Sequence, residues 1–111
     1  MEEKGCNSVA IDCFPMIKRF GFTPCLAIAA LNDDGVPSAC EADLRSLLLL
    51  RISLSLTGSP GWIGNPVWAS GKRMLMAHCT IAPSLTSSIR LISHFETGLH
   101  EAISGEILDS P

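Results

Sequence analysis

A leucine-rich stretch at residues 42–56 constrains the fold more than any other part of the sequence. Its leucines recur at the spacing of a helix, and the spacing of Arg45 and Arg51 is compatible with the same helix. The stretch predicts a long, heavily buried helix, and the segment TGSPG at residues 57–61 is expected to end it. The leucines that carry this pattern are Leu47, Leu48, Leu50 and Leu54.

Two shorter helices are predicted before the leucine-rich one. Residues 14–20 form an apolar-flanked run that stops at Gly21. In the second helix, Thr23 is expected to cap the first turn and Pro24 to occupy the first helical position. Gly35 suits a left-handed stop after that helix.

Extended segments dominate the rest of the sequence. Pro37 biases the segment around it away from helix, so residues 36–40 are predicted to be short and extended. Residues 62–68 are aromatic and β-branched and predict a strand interrupted at Pro66, and residues 74–79 predict a buried strand. A polar loop at residues 84–88 and strands near residues 89–94 and 99–108 complete the prediction. Helices first and strands after indicate an α/β fold in which helices pack on a small sheet and pass into a β-rich C-terminal segment.

Composition narrows the class of protein. The chain has 111 residues, of which 47% are apolar and 17% charged, a balance that favours one folded domain over a disordered tail. With 8 Lys and Arg against 11 Asp and Glu, we expect no nucleic-acid partner. No apolar run approaches the ~20 residues that a membrane-spanning helix needs, so we expect no membrane partner and a cytoplasmic location.

The five cysteines are odd in number, and none stands in a CxxC pair. A disulfide framework favours an even count, and zinc sites favour closely spaced cysteine pairs. We therefore interpret most of these cysteines as small, reduced, buried apolar residues.

Glu41 and Asp43 lie at the predicted junction between a strand and the leucine-rich helix. Acidic residues in a first helical turn are favoured by the helix dipole, which is one explanation of the pair. The other is that a carboxylate is displayed at the carboxyl end of a strand, where α/β proteins place ligands. The spacing alone leaves both open.

Histidine is the other residue type that can carry chemistry here. His78 lies in an apolar run and is either a satisfied core histidine or a metal or substrate contact. His94 and Glu96 are two apart, so on a strand they would share a face, as half of a metal site or as an exposed pair. His100 and Glu101 read as solvated surface, and the sequence has no phosphate-binding glycine loop, GxSxG or HExxH motif.

Several segments in order resemble one enzyme family. They are CFPMIK at residues 13–18, TPCLAIAALNDDGVP at 23–37, SACEAD at 38–43, TGSPGWIGNP at 57–66, MAHCTIAP at 76–83 and HFETG at 94–98. Together they resemble the L-fucose isomerase and L-arabinose isomerase superfamily, whose members are several times longer and interconvert aldoses and ketoses with Mn²⁺. The resemblance covers most of the chain.

The resemblance implies a particular place in a larger fold. Residues of about 1–83 would correspond to the end of the family's middle α/β domain, and about 84–111 to the start of its β-rich C-terminal part, here within one domain. The chain is then expected to be a fragment, a split-gene product or a remnant. We expect it to expose apolar surface that homo-oligomerisation or association with further isomerase segments would cover.

The resemblance also implies roles for three residues. Glu41 falls on the family's first metal-binding carboxylate, which doubles as a catalytic acid or base, and His78 corresponds to a histidine that lines the substrate site. The second metal-binding carboxylate is replaced by Asn65, which can ligate a cation through its carbonyl oxygen but cannot take up a proton. A late metal-binding histidine of the family has no counterpart.

Three functions follow from this pattern. The first is a metal-dependent aldose–ketose isomerase that is incomplete by itself. The second is a non-catalytic module that binds a sugar or a metal, and the third is a structural remnant without a ligand. Asn65 favours the binding module and the remnant, whereas Glu41 and His78 are consistent with the isomerase.

Overall fold

The structure is a computed structural model, and it describes residues 5–88. In chain order the elements are β1 (Val9–Ala10), α1 (Cys13–Phe20), α2 (Cys25–Asp33), β2 (Ser38–Ala39), α3 (Leu44–Thr57), β3 (Asn65–Ser70), β4 (Arg73–Ala77) and a 3₁₀ turn (Pro83–Leu85). This arrangement confirms a mixed α/β fold with small sheets. The strands predicted near residues 89–94 and 99–108 lie outside the described residues.

The first sheet is a parallel pair. β1 and β2 pair with Val9 opposite Ser38 and Ala10 opposite Ala39, and α1 and α2 form the crossover between them. α2 and α3 both pack on β2, and α2 also packs on the 3₁₀ turn. β2 therefore lies at the centre of the described fold, and the turn that leaves it is held by elements on both sides.

The second sheet is an antiparallel hairpin of β3 and β4. A bulge between Pro66 and Trp68 shifts the register, as expected for a proline that cannot donate to the ladder. The strand begins at Asn65, three residues later than predicted, and its side chains are exposed. Most residues of β4 are exposed as well, so the prediction of a buried strand at residues 74–79 is wrong for this part of the chain.

The helices end where the sequence predicts. Gly21 and Gly58 adopt left-handed conformations, with φ of 70° at each, and each donates its N–H to a carbonyl four residues earlier. That conformation is inexpensive only without a Cβ atom. The start of α2 differs by one residue, since Pro24 rather than Thr23 precedes the helix.

Burial of α3 differs from the prediction. Leu50 is its only buried residue in the described structure, whereas Leu48 and Leu49 are about two-thirds exposed. The reason is that leucines surround α3 on all sides, and β1 and β2 can cover only one of them. The small core lies instead between the two shorter helices and the end of β2, and consists of Cys13, Ile28 and Cys40 with Ile11 against it.

The described residues contain no helix long and apolar enough to cross a membrane.

Candidate functional site

The turn between β2 and α3 has an uncommon backbone. Glu41 and Ala42 are the only residues other than glycine with positive φ in residues 5–88, at 58° and 51°. A left-handed conformation costs about 1–2 kcal/mol for a residue with a Cβ atom. The Ala42 N–H donates to the carbonyl of Ile11 at 3.1 Å and the Asp43 N–H donates to the carbonyl of Cys40 at 3.1 Å, and these bonds hold the turn.

Asp43 has a structural role at this turn. Its Oδ1 accepts hydrogen bonds from the backbone N–H groups of Arg45 at 3.0 Å and Ser46 at 2.9 Å, and its Oδ2 accepts from the Ser46 hydroxyl at 2.6 Å. These bonds, that of the hydroxyl above all, lower the pKa of Asp43. Asp43 is therefore the N-cap of α3.

Glu41 is left exposed by the same turn, at the carboxyl end of β2. Its negative charge raises the pKa of His78 and that of the buried Cys13, although other causes are larger for both groups. The structure thus places the Glu41 carboxylate within electrostatic reach of His78. A strained turn that presents a carboxylate at the end of a parallel strand is a common arrangement at functional sites of α/β proteins.

His78 follows the last residue of β4 and is half-buried against the end of β2. The sulfur of Cys40 lies 3.8 Å from its Nε2 and 4.0 Å from its Nδ1. Hydrogen bonding to Cys40 is the largest cause that raises the pKa of His78, and burial opposes it. The charged form of His78 is therefore favoured, mainly by Cys40 and to a smaller extent by the negative charge of Glu41.

Asn65 opens β3 and pairs with Ala77, the residue before His78. Asn65 therefore lies at the same end of the hairpin as His78. The contact between His78 and Cys40 joins this end of the hairpin to the turn that carries Glu41. Asn65 itself is exposed.

The sequence interpretation missed the thiols around His78. Cys40, His78 and Cys79 offer ligand atoms that all lie within 4.8 Å of one another. Hydrogen bonding to Cys79 is the largest cause that lowers the pKa of Cys25 and that of Cys40. The same interactions raise the pKa of Cys79. Two signals were present in the sequence: the adjacent pair His78 and Cys79 after a strand, and Cys40 beside Glu41.

The cysteines are otherwise as expected. Cys13, Cys25 and Cys40 are buried, Cys79 is half-buried and Cys6 is exposed, and no disulfide joins any of them within residues 5–88.

A groove lies between α3 and the segment before β3. Its lining includes Ser46, Leu49 and Trp62, and its volume is about 320 Å³. The indole Nε1 of Trp62 is buried and has no hydrogen-bond partner among the described residues. The groove thus combines an aromatic ring and a hydroxyl with a neighbouring indole N–H that no residue in 5–88 satisfies.

The donor atoms fall into two chemical groups. Glu41 offers a carboxylate oxygen and Asn65 a carbonyl oxygen, and both are donor types that suit Mn²⁺. The sulfurs of Cys40 and Cys79 are softer donors and suit a different ion. His94, Glu96, His100 and Glu101 lie outside the described residues.

Comparison with known proteins gives one informative similarity. The chain is 27% identical over 101 residues to a sulfoquinovose isomerase of Clostridium sp. (strain MSTE9). The aligned region is 90% of this chain but 23% of the relative, so the chain spans less than a quarter of the relative's length. No protein-family model and no solved structure matches. The similarity shows that this chain is related to a sugar isomerase.

Proposed function

We propose that this chain contributes a carboxylate, Glu41, to the active site of an aldose–ketose isomerase. The observation that carries the proposal is the strained turn that presents Glu41 at the carboxyl end of β2, within electrostatic reach of His78. The similarity to a sulfoquinovose isomerase over 90% of the chain supports the same conclusion.

Aldose–ketose isomerisation moves a proton between neighbouring carbons. A base removes the proton from the carbon next to the carbonyl while the carbonyl oxygen gains a proton, which gives an enediol. An acid then delivers a proton to the former carbonyl carbon while the hydroxyl on the neighbouring carbon loses its proton and becomes the new carbonyl. Glu41 suits both steps because a carboxylate can accept the proton and give it back. His78 lines the sugar side, where its ring N–H donates to a substrate hydroxyl.

Glu41 and Asn65 would hold the Mn²⁺ that the family resemblance implies. Such an ion supplies polarisation of the sugar carbonyl when it is bound. Asn65 carries no charge, so Glu41 is the only ionised ligand in this set. We therefore expect the affinity for Mn²⁺ to be weak.

Isomerase activity would require more protein than the part of the chain that the structure describes. The relative is more than four times as long as the region it shares with this chain. We propose that the chain works as a homo-oligomer or together with further isomerase segments, with a small sugar as the substrate.

The second candidate is a carbohydrate-binding module without catalysis. Two observations favour it: Asn65 stands where the family has its second carboxylate, and the groove beside Trp62 has a buried indole N–H that no described residue satisfies. Small-molecule sites commonly combine an apolar wall with a few polar groups of this kind.

Proton exchange from sugars in D₂O separates the two candidates. The full chain with Mn²⁺ is incubated with sulfoquinovose, L-fucose or L-arabinose, and NMR follows loss of the proton next to the carbonyl. Isomerase chemistry predicts exchange that Glu41→Gln abolishes and that the exposed control Asp34→Asn retains. In parallel, saturation-transfer NMR reports sugar binding by the same variants.

Each result selects one function. Exchange that depends on Glu41 supports the isomerase. Binding without exchange, lost on Trp62→Ala, supports the module instead. Neither binding nor exchange with any of the three sugars would contradict both.

A further inference from the structure

Three side chains with nitrogen or sulfur donors meet at the end of β2. The Nδ1 of His78 lies 4.0 Å from the sulfur of Cys40 and 3.8 Å from the sulfur of Cys79. The ligand atoms of Cys40, His78 and Cys79 all lie within 4.8 Å of one another. The group thus contains two sulfurs and one imidazole nitrogen.

These separations are close to those of a zinc site. With Zn–S of about 2.3 Å and Zn–N of about 2.0–2.1 Å, tetrahedral geometry places sulfur and nitrogen ligands ~3.6 Å apart. The observed separations of 3.8 and 4.0 Å exceed this by less than half an ångström. Small rotations of the side chains would therefore close the three donors around one ion.

The backbone around the cluster is held independently of any ion. Cys40 follows β2 directly, and His78 and Cys79 follow β4. Asp33 at the end of α2 accepts a hydrogen bond from the N–H of Ser84 at 2.7 Å, which ties the segment after Cys79 to α2. The donors are thus delivered by separate elements that already converge.

We propose that Cys40, His78 and Cys79 bind one Zn²⁺ ion through two sulfurs and one nitrogen, with the fourth tetrahedral position taken by water. Thiolate and imidazole are the ligands that zinc prefers, and two cysteines with one histidine and an open fourth position are an established zinc set. Mn²⁺ prefers oxygen and is excluded from this set by the same chemistry. The ion would join the hairpin to the parallel sheet, because His78 and Cys79 leave the hairpin and Cys40 leaves β2.

This site is separate from the oxygen donors of the proposed isomerase function. Zinc would use the Nδ1 of His78, which lies 4.0 Å from the sulfur of Cys40 and 3.8 Å from that of Cys79, and the Nε2, 3.8 Å from the sulfur of Cys40, would keep its proton. Metal binding to sulfur and proton exchange from sugars are measured separately, so either can fail without the other.

Co²⁺ is the probe for the test, because it reports its ligands in its absorption spectrum. The full chain is stripped of metal, its thiols are kept reduced and counted, and Co²⁺ is titrated in. We expect a thiolate-to-cobalt charge-transfer band, the visible bands of a tetrahedral site, a stoichiometry of one, and displacement of both features by Zn²⁺ but not by Mn²⁺.

Four variants identify the ligands. Cys40→Ser and Cys79→Ser should lower Zn²⁺ affinity by more than the ~10–100-fold that loss of an outer-shell contact causes. Cys25→Ser, which lies outside the group of three donors, should lower the affinity less than either of these substitutions. Cys6→Ser, which removes an exposed cysteine outside the cluster, should change nothing.

Stability supplies a readout that does not depend on the spectrum. Zn²⁺ should raise the melting temperature of the wild-type chain and of Cys6→Ser, and should leave that of Cys79→Ser unchanged. Circular dichroism tests whether each variant is folded. If a variant does not fold, His78→Ala takes its place. The proposal is overturned if cobalt shows no thiolate band, or if the band survives both Cys40→Ser and Cys79→Ser.

Discussion

Asn32 and Ser38 are joined by two buried hydrogen bonds between the end of α2 and the start of β2. The Asn32 Nδ2 donates to the Ser38 carbonyl at 2.9 Å, and the Ser38 N–H donates to the Asn32 Oδ1 at 2.8 Å. Both residues are almost inaccessible to solvent. This bridge fixes β2, which ends at Ala39, and thereby the position of Glu41 shortly after it.

Asn32→Ala should therefore destabilise the fold. It leaves the N–H and the carbonyl of Ser38 buried without this partner, and each such group costs about 1–3 kcal/mol. We expect a loss of at least about 2 kcal/mol in urea unfolding. The control Asn7→Ala, at an exposed position, should change stability by no more than about 0.5 kcal/mol. Equal effects of the two substitutions would refute the role of the bridge.

Leucines of α3 should differ sharply in their contribution to stability. Leu50 is 5% exposed and Leu56 is 80% exposed. Leu50→Ala should cost about 2–5 kcal/mol, because it removes buried apolar surface and opens a cavity. Leu56→Ala on the same helix should cost less than about 0.5 kcal/mol. Denaturant unfolding of both variants measures the difference, and similar costs would contradict the burial described for α3.

The N-cap of α3 should make stability depend on pH in the acid range. Hydrogen bonds from Ser46 and Arg45 lower the pKa of Asp43 below its usual value of 3.8 in the folded state. The unfolded state therefore binds the proton more readily, so the contribution of Asp43 is complete above the unfolded pKa and is lost as the pH falls through the folded one. Thermal melts of wild type and Asp43→Asn between pH 2 and 6 test this.

The asparagine variant retains a side-chain acceptor and lacks the titrating group. Its melting temperature should fall less steeply between pH 4 and pH 2 than that of the wild type. The same pH dependence in both proteins would assign the effect to other carboxylates.

Mn²⁺ should bind weakly and through Glu41. Isothermal calorimetry on the metal-free chain, with the cysteine cluster first saturated with Zn²⁺, should show a low affinity that Glu41→Gln removes. The reason is that Glu41 supplies the only negative charge among the proposed oxygen ligands. The control Asp34→Asn should bind as the wild type does. Tight binding that survives Glu41→Gln would disprove the assignment of Glu41 as a ligand.

The exposed apolar side chains should drive self-association. They lie along α3 and the hairpin and include Leu48, Leu49, Trp68 and Leu75, each more than half exposed. Apolar surface of this kind commonly marks an interface. Sedimentation velocity should show oligomers that weaken in Leu48→Lys or Trp68→Lys and persist in the exposed control Ser59→Lys. A stable monomer at high concentration would rule this out.

Local chemistry in the sequence determined the ends of the helices. Gly21 and Gly58 stop α1 and α3 because the left-handed conformation needs no Cβ atom, and Pro66 interrupts the β3 ladder because it lacks an N–H. These effects act within one turn of chain and require no partner. The sequence predicts the position of the Glu41 carboxylate for the same reason, because a strand followed by a helix marks where the junction lies.

Tertiary structure alone decided what is buried and which side chains meet. Of the leucines that predict a buried α3, Leu50 is buried, Leu47 and Leu54 are half-buried and Leu48 is exposed. The reason is that β1 and β2 cover one side of that helix, and periodicity does not tell how many sides are covered. Cys40 lies far from His78 and Cys79 in sequence and forms no CxxC pair, so no spacing rule joins them. The parallel pairing of β1 with β2, and the contact of His78 with Cys40, bring them together.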